Sequence, residues 1–221
     1  MIEEKINTLG EPSGINITID NLTAAEKILE KVNSWTFNRN VLTNYFQSNT
    51  NNDKSTMLIK IILVDSLYNT NLSKTMSAIE LVEQLFKKNQ ESKLDEYIQQ
   101  GNLEAIEIIT DIAPKNILSF ASKFCHFHNK NAFPIYDSYA CIALKKLFGY
   151  KDKRKYSEFA NHINKIKQKF GTNDLERIDT FLWLYGLKLE LDKDKKNINK
   201  EVTELYLKNP ELFKNLEPTT P

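Results

Sequence analysis

Apolar positions along this chain recur at helical spacing almost throughout, in amphipathic segments separated by short polar breaks. Thr23 followed by Glu26 reads as a capping box that opens a helix running to about Val32. A second helix is expected over Arg39 to Gln47. The polar run 49–53 follows, and in it Asp53 is placed to cap the next helix. That helix carries Met57, Ile61, Ile62, Val64 and Leu67 on most of its sides, the mark of a buried element. It breaks at 68–71, after which Asn71 or Ser73 caps a helix with Met76, Ile79, Val82, Leu85 and Phe86 on one face. Shorter helices are expected over 94–98 and 103–111. Pro114 suits the first turn of another that carries Lys123. Asp137 opens a helix that Gly149 ends, and two more follow over 156–170 and 175–189. The pattern weakens at both ends. Ile15, Ile17 and Ile19 alternate with polar residues, as in a short strand or an extended arm over 1–20, and 192–221 reads as one short helix and a loose tail.

The fold class that follows is all-α: one two-lobed helical bundle over residues 1–221, with the N-terminal alternation as its candidate strand. The scarcity of turn formers, Gly 6 and Pro 6, agrees with few tight turns. No apolar run approaches the ~20 residues that span a bilayer, and the first residues lack the basic start and apolar core of a secretion signal. Cys125 and Cys141 are too few for a disulfide framework or a four-cysteine cluster. A monomer in a reducing cytoplasm, with no membrane partner, is expected.

Net charge is only +1, but its distribution is uneven. Residues 145–169 hold nine basic side chains, Lys145 and Lys146 among them, against Asp152 and Glu158. Residues 80–111 hold eight acids against three lysines. The basic segment suits either a phosphate-binding surface or a solvated helix face.

Candidate chemistry is densest between Ser119 and Leu144. Ser119, Ser122 and Lys123 fall on one helix, and Asp137 stands just before the next. A neutral lysine amine is a nucleophile, and a helix N-terminus favours a carboxylate in its charged form. By themselves the two residues also read as a surface lysine and an ordinary cap. His126 and His128, two positions apart, do not share a helical face, so no metal is expected, and nothing calls for a cofactor.

Three stretches between about Ile61 and Gly149 resemble the helix-hairpin-helix DNA glycosylase superfamily, which contains endonuclease-III-like and 8-oxoguanine glycosylases. The run from Leu63 through Asn69, Thr70 and Asn71 resembles the helix end whose polar side chains enter DNA beside the vacated base. The hairpin falls over Ile109 to Phe127, with Ala121-Ser122-Lys123 resembling its Gly-x-Lys ending. The run Phe133-Pro134-Ile135-Tyr136-Asp137-Ser138-Tyr139 resembles the motif Val-Pro-Val-Asp-Thr-His, which carries the catalytic aspartate.

The resemblance implies a glycosylase that extrudes a damaged or modified base from double-stranded DNA. Asp137 then stabilises the sugar cation, and Lys123 is either the nucleophile at the sugar C1′ or a phosphate contact. It further implies DNA contacts by Asn69, Thr70, Asn71, Lys115, Asn116, Ser119 and Ser122, with Lys145 and Lys146 on phosphates. Bacterial anti-phage enzymes that remove modified cytosines are a related group. The hairpin here reads Ile112-Ala-Pro114-Lys-Asn116-Ile without the usual glycines, so Asn116 is expected to take the left-handed backbone position. Phe133, Tyr136, Tyr139 and Trp35 are the aromatics available to stack on an extruded base, although aromatics at such positions also form core. Trp183 reads as core. A non-catalytic helical DNA-binding module and a helical interaction protein stand as the alternatives.

Overall fold

The computed structural model describes residues 17–218 apart from 52, 89, 171, 173 and 194–198. Its helices are α1 (Ile19–Leu29), α2 (Asn33–Ser48), α3 (Lys54–Tyr68), α4 (Ala78–Lys87), α5 (Glu91–Gln100), α6 (Glu104–Thr110), α7 (Leu118–His128), α8 (Ser138–Phe148), α9 (Tyr156–Phe170), α10 (Leu175–Leu191), α11 (Lys200–Lys208) and α12 (Pro210–Lys214). The fold is all-α, with no strand among the described residues. No helix among them is long and apolar enough to cross a membrane.

Most helix boundaries follow from local chemistry. The Asp53 carboxylate accepts from Thr56 N at 2.8 Å and starts α3. Ser77 and Glu80 form a reciprocal capping box at the start of α4, so Ser77 fills the place expected of Asn71 or Ser73. Gly149, at φ 65°, ends α8 in the left-handed conformation that glycine adopts without strain.

Several expectations are corrected. The alternation at 15–19 makes no strand in its described part: Ile17 and Thr18 are irregular and Ile19 begins α1, while Ile15 and Asn16 lie outside the described residues. Thr23 and Glu26 stand inside α1 and cap nothing. Both face α10 instead, where Arg177 Nε meets Glu26 Oε1 at 2.6 Å and Arg177 Nη2 reaches Thr23 Oγ1 at 3.4 Å. Pro114 precedes α7 rather than sitting in its first turn. Ile62 and Ile79 are exposed. The C-terminal segment forms two helices, and Asn21 of α1 ties it down by donating to the carbonyls of Asn215 (2.9 Å) and Glu217 (3.1 Å).

The helices gather in two groups over one continuous apolar core. In the first, α10 is the central post: α8 and α1 pack along it, α9 touches it, and α12 closes on α1. The second holds α2, α3 and α7 against one another, with α4 on α3 and the α5–α6 pair on α7. The first group therefore joins the chain's N-terminal helix to its C-terminal half, and only the loop between α7 and α8 leads from Lys123 to Asp137.

A close contact in the first group is backbone on backbone. A Cβ added at Gly186 of α10 would stand 1.9 Å from the carbonyl oxygen of Tyr139, in the first turn of α8. Only a residue without a side chain lets the two helices approach this closely, and the approach fixes the turn that Asp137 caps. Gly186→Ala is expected to destabilise the protein by about 1–3 kcal/mol, as overpacking does. Chemical denaturation of the variant against the parent measures it.

Candidate functional site

Ends and faces of five helices converge on a cavity of about 440 Å³ between the two helix groups. The volume falls within the ~300–1,000 Å³ usual for small-molecule sites. Its walls include Trp35, Asn38 and Arg39 from α2, Tyr68 and Asn69 from the end of α3, Ser119 and Lys123 from α7, Ile135 and residues 137–140 around the start of α8, and Asp179, Thr180 and Trp183 from α10. The Lys123 and Asp137 pair read from the sequence is brought to one cavity.

Lys123 is only 4% exposed, so it is not a surface lysine. Its ammonium donates to Ser119 Oγ at 2.8 Å and approaches the Tyr136 carbonyl at 3.5 Å, and it stands 6.0 Å from the centre of the Tyr68 ring. Burial lowers its pKa, with Asp137 and Asp179 acting in opposition. Lys60 offers a contrast. It is fully buried in α3 and bonded to Asn49 O (2.6 Å) and Asn51 Oδ1 (2.9 Å), and burial brings its pKa down to about 8. It does not line the cavity. Of Lys60 and Lys123, Lys123 is the one a bound molecule can reach.

Asp137 caps α8 through a bond from Ala140 N to its Oδ1 at 2.8 Å. The other carboxylate oxygen takes no part in that bond. The loop that carries Asp137 is held from three sides. Ser122 accepts from Tyr136 N at 3.0 Å, Asp179 Oδ2 accepts from Ile135 N at 3.1 Å, and the Tyr156 hydroxyl donates to Pro134 O at 2.9 Å. His126 adds a fourth tie, its Nδ1 lying 2.8 Å from Phe133 O. Burial and Arg39 hold the His126 pKa at about 3. The ring is therefore neutral, Nδ1–H donates to the carbonyl, and the 4.0 Å approach to Asp179 is not an ion pair.

Asp179 and Arg39 belong to the site although sequence reasoning assigned neither a role. Arg39 is 8% exposed and spans from Glu176 (Nε to Oε1, 3.0 Å) to the Trp35 ring, 4.7 Å from its centre. Trp35 in turn stacks on Trp183, with ring centres 6.1 Å apart, so the residue read as core forms a wall of the cavity. The signal available in the sequence was an acid inside an apolar run, four residues before a tryptophan: Asp179 and Trp183 share one face of α10.

The remaining expected positions divide. Asn69 lines the cavity in a left-handed conformation, φ 48°. Asn71, φ 60°, stands exposed beside it, and the Thr70 hydroxyl donates to Asp65, whose carboxylate also accepts from Leu72 N at 2.8 Å. Ser119 and Tyr139 line the cavity. Ser122 is fully buried as the splice between α7 and the loop, which removes it from any DNA surface. Phe133 is fully buried core. Tyr136 points elsewhere, its ring on Phe159 and its hydroxyl on Asp152. Those three assignments are corrected: the loop's small and aromatic side chains serve packing because its backbone is anchored from below. Lys115 and Asn116 are exposed in the turn before α7 and share a second hollow with Arg154 and Lys155. Asn116 does not take the left-handed position; its side chain accepts from Leu118 N at 2.9 Å and starts α7. Lys145 and Lys146 are exposed on the last turn of α8. His128 bonds to Asn51 on the far side of α7 from His126, and no metal-binding cluster occurs among the described residues.

Asp179 is 6% exposed, and burial raises its carboxyl to about 8, with Ile135 N–H and Arg39 opposing the shift. The folded protein therefore binds a proton there that the unfolded chain releases near pH 4. The associated stability is present below that value and is lost as pH rises toward 8. Asp179→Asn lacks this term, so its melting temperature is expected to gain on the parent's steadily between pH 5 and 8. Paired thermal melts across that range would refute this if the two curves run parallel.

Comparison with known proteins gives kinship rather than chemistry. A family model described as HI_0787_N, N-terminal domain, matches residues 15–132. The matched span contains Arg39, Tyr68 and Lys123 and stops before Asp137 and Asp179. A Haemophilus influenzae protein that carries only the name uncharacterized protein is 31% identical over 105 residues, 42% of this chain and 50% of that protein. The chain thus matches half the length of that curated relative. No solved structure matches the chain. The family match runs from α1 through α7, more than half of the chain, and on that span the protein belongs to the HI_0787_N family.

Proposed function

We propose that the protein is a DNA glycosylase that extrudes a damaged or modified base into the cavity and cuts its bond to the sugar. The observation that carries this reading is the enclosed Lys123 amine facing the same cavity as Asp137. A reacting lysine must give up its proton, and burial lowers the pKa that opposes this. A phosphate clamp gains nothing from such burial, since it needs an exposed charged ammonium. That observation favours catalysis over a non-catalytic DNA-binding module.

A base stacked in the duplex is shielded, so it rotates out at a cost of a few kcal/mol. As the C1′–N bond breaks, its electron pair leaves with the base and positive charge grows on the sugar. The Asp137 carboxylate stabilises that charge. The Lys123 lone pair bonds to C1′, and the amine proton is passed on toward the departing base. Opening of the C1′–O4′ bond, with protonation of O4′, leaves a Schiff base between C1′ and Nζ. Loss of a C2′ proton then expels the 3′ phosphate and cuts the strand, and water releases the lysine.

In this reading Asn69, on the cavity wall, and the exposed Asn71 close to it in the chain enter the gap left by the base. In this reading Lys115, Arg154 and Lys155, around a hollow that Glu107 and Asp111 also line, hold backbone phosphates. Both cysteines are free, buried thiols, in keeping with work in a reducing cytoplasm.

Incubation with duplexes carrying a spread of modified bases, read by mass spectrometry of released bases, tests the reading. The parent is expected to release at least one base. Asp137→Asn should slow release on the order of 10²–10³-fold, as loss of one charge-stabilising group does. Lys123→Gln should abolish strand cleavage. Absence of release from every substrate would refute the reading.

A further inference from the structure

Asp179 is a second carboxyl group in the cavity, and the chemistry above leaves it unused. It is more than nine-tenths buried, and its two oxygens differ. Oδ2 accepts the Ile135 N–H at 3.1 Å, whereas Oδ1 is buried with no hydrogen-bond partner. Two further buried polar atoms without partners, Arg39 Nη1 and the Tyr68 hydroxyl, also belong to residues that line the cavity. Buried polar atoms are rarely left unmade, and three on the walls of one cavity point to a polar ligand that completes them.

The groups facing Asp179 come from every neighbouring element. They are Arg39 of α2, Tyr68 of α3, Lys123 and His126 of α7, Asp137 at the start of α8, Tyr156 of α9 and Glu176 of its own helix. Of these, Arg39 favours the carboxylate, while Asp137 and Glu176 disfavour it. Oδ2 is committed as an acceptor, so a proton on this carboxyl group resides on Oδ1, the oxygen that lacks a partner.

We propose that Asp179 is the general acid of the site, its Oδ1 proton passing to the departing base. This rests on the glycosylase reading and extends it. The two carboxyl groups then divide the work by environment: Asp137, a partly exposed cap, serves as the anion, and Asp179, buried, serves as the acid. The elevated pKa of Asp179, about 8, leaves it protonated at neutral pH in support of that role.

The step balances. The C1′–N pair moves onto the base, an acceptor atom of the base takes the Oδ1 proton, and the Lys123 lone pair forms the new bond to C1′. The proton shed by Lys123 then returns to Asp179, so the net transfer is of one proton from amine to base. Arg39 and Tyr68 supply the remaining polar contacts to the base. A base that needs a proton to leave depends on this relay. A cationic ring-alkylated base, such as 7-methylguanine, departs as a neutral molecule without one.

The test compares the parent with Asp179→Asn, whose amide oxygen still accepts the Ile135 N–H. Three readouts are needed: release of a neutral base found to be a substrate, release of 7-methylguanine, and borohydride trapping on DNA that already carries an abasic site. The expected result is a loss of at least 10²-fold in neutral-base release. Trapping should stay within a few-fold of the parent, and 7-methylguanine, if a substrate, should be released at the parental rate. In the parent, neutral-base release should fall as pH rises through about 8.

Equal release of the neutral base by both proteins, with the same pH profile, would overturn the proposal. So would an equal loss of trapping and release in a variant that remains folded, since that pattern belongs to a residue that only positions the loop. A folding failure of Asp179→Asn sends the test to the parental pH profile, where an unchanged rate across pH 8 overturns it. A parent that releases no base at all refutes the underlying glycosylase reading instead.

Discussion

The contact between Gly186 of α10 and the Tyr139 carbonyl of α8 is the constraint on which the site depends. It brings two helix backbones to a distance that no side chain permits, and it does so in the turn that Asp137 caps. Asp179 lies two helical turns earlier on α10, where it accepts the Ile135 N–H two residues ahead of Asp137. One helix–helix contact thus sets the height of the Asp137 loop and places the second carboxyl group behind it. The opposite wall, with Lys123, Arg39 and Tyr68, comes from the other helix group, so the cavity exists because the two groups meet there.

Burial is the second determinant, and it sorts like residues into unlike states. Lys60 and Lys123 are both buried lysines, but Lys60 bonds to Asn49 and Asn51 away from the cavity while Lys123 lines it. Asp137 and Asp179 are both near Lys123, but one is a half-buried cap at a helix start and the other lies inside the protein. His126 is held neutral and ties the Phe133 carbonyl, which accounts for a histidine in this position without a metal or a proton-transfer role. The local dielectric, more than residue type, sets what each group can do.

Much of this was legible in the sequence, because helix stop and start signals are local. Asp53, Gly149 and Asp137 act where their positions said they would, and the spacing of Lys123 and Asp137 placed them on facing elements. Most of what failed depended on a distant partner. Thr23 and Glu26 carry the pattern of a capping box, yet Arg177 of α10 takes them. Phe133 and Tyr136 border Asp137 in the chain but point into the core, since the loop is anchored through its backbone. Arg39 and Asp179 were invisible as a pair because 140 residues of chain separate two side chains that share one wall. Asn116 took on the role of cap rather than glycine substitute, a choice between two local geometries that its sequence neighbours do not decide.

The proposed glycosylase chemistry requires a covalent bond between Lys123 Nζ and the sugar. Borohydride reduction of the full chain on duplex DNA with a single abasic site, followed by protease digestion and peptide mass mapping, reads this directly. The account predicts one covalent adduct, on the peptide that contains Lys123 and at its Nζ. An adduct on Lys60 or on a surface lysine, or base release with no adduct at all, would contradict it.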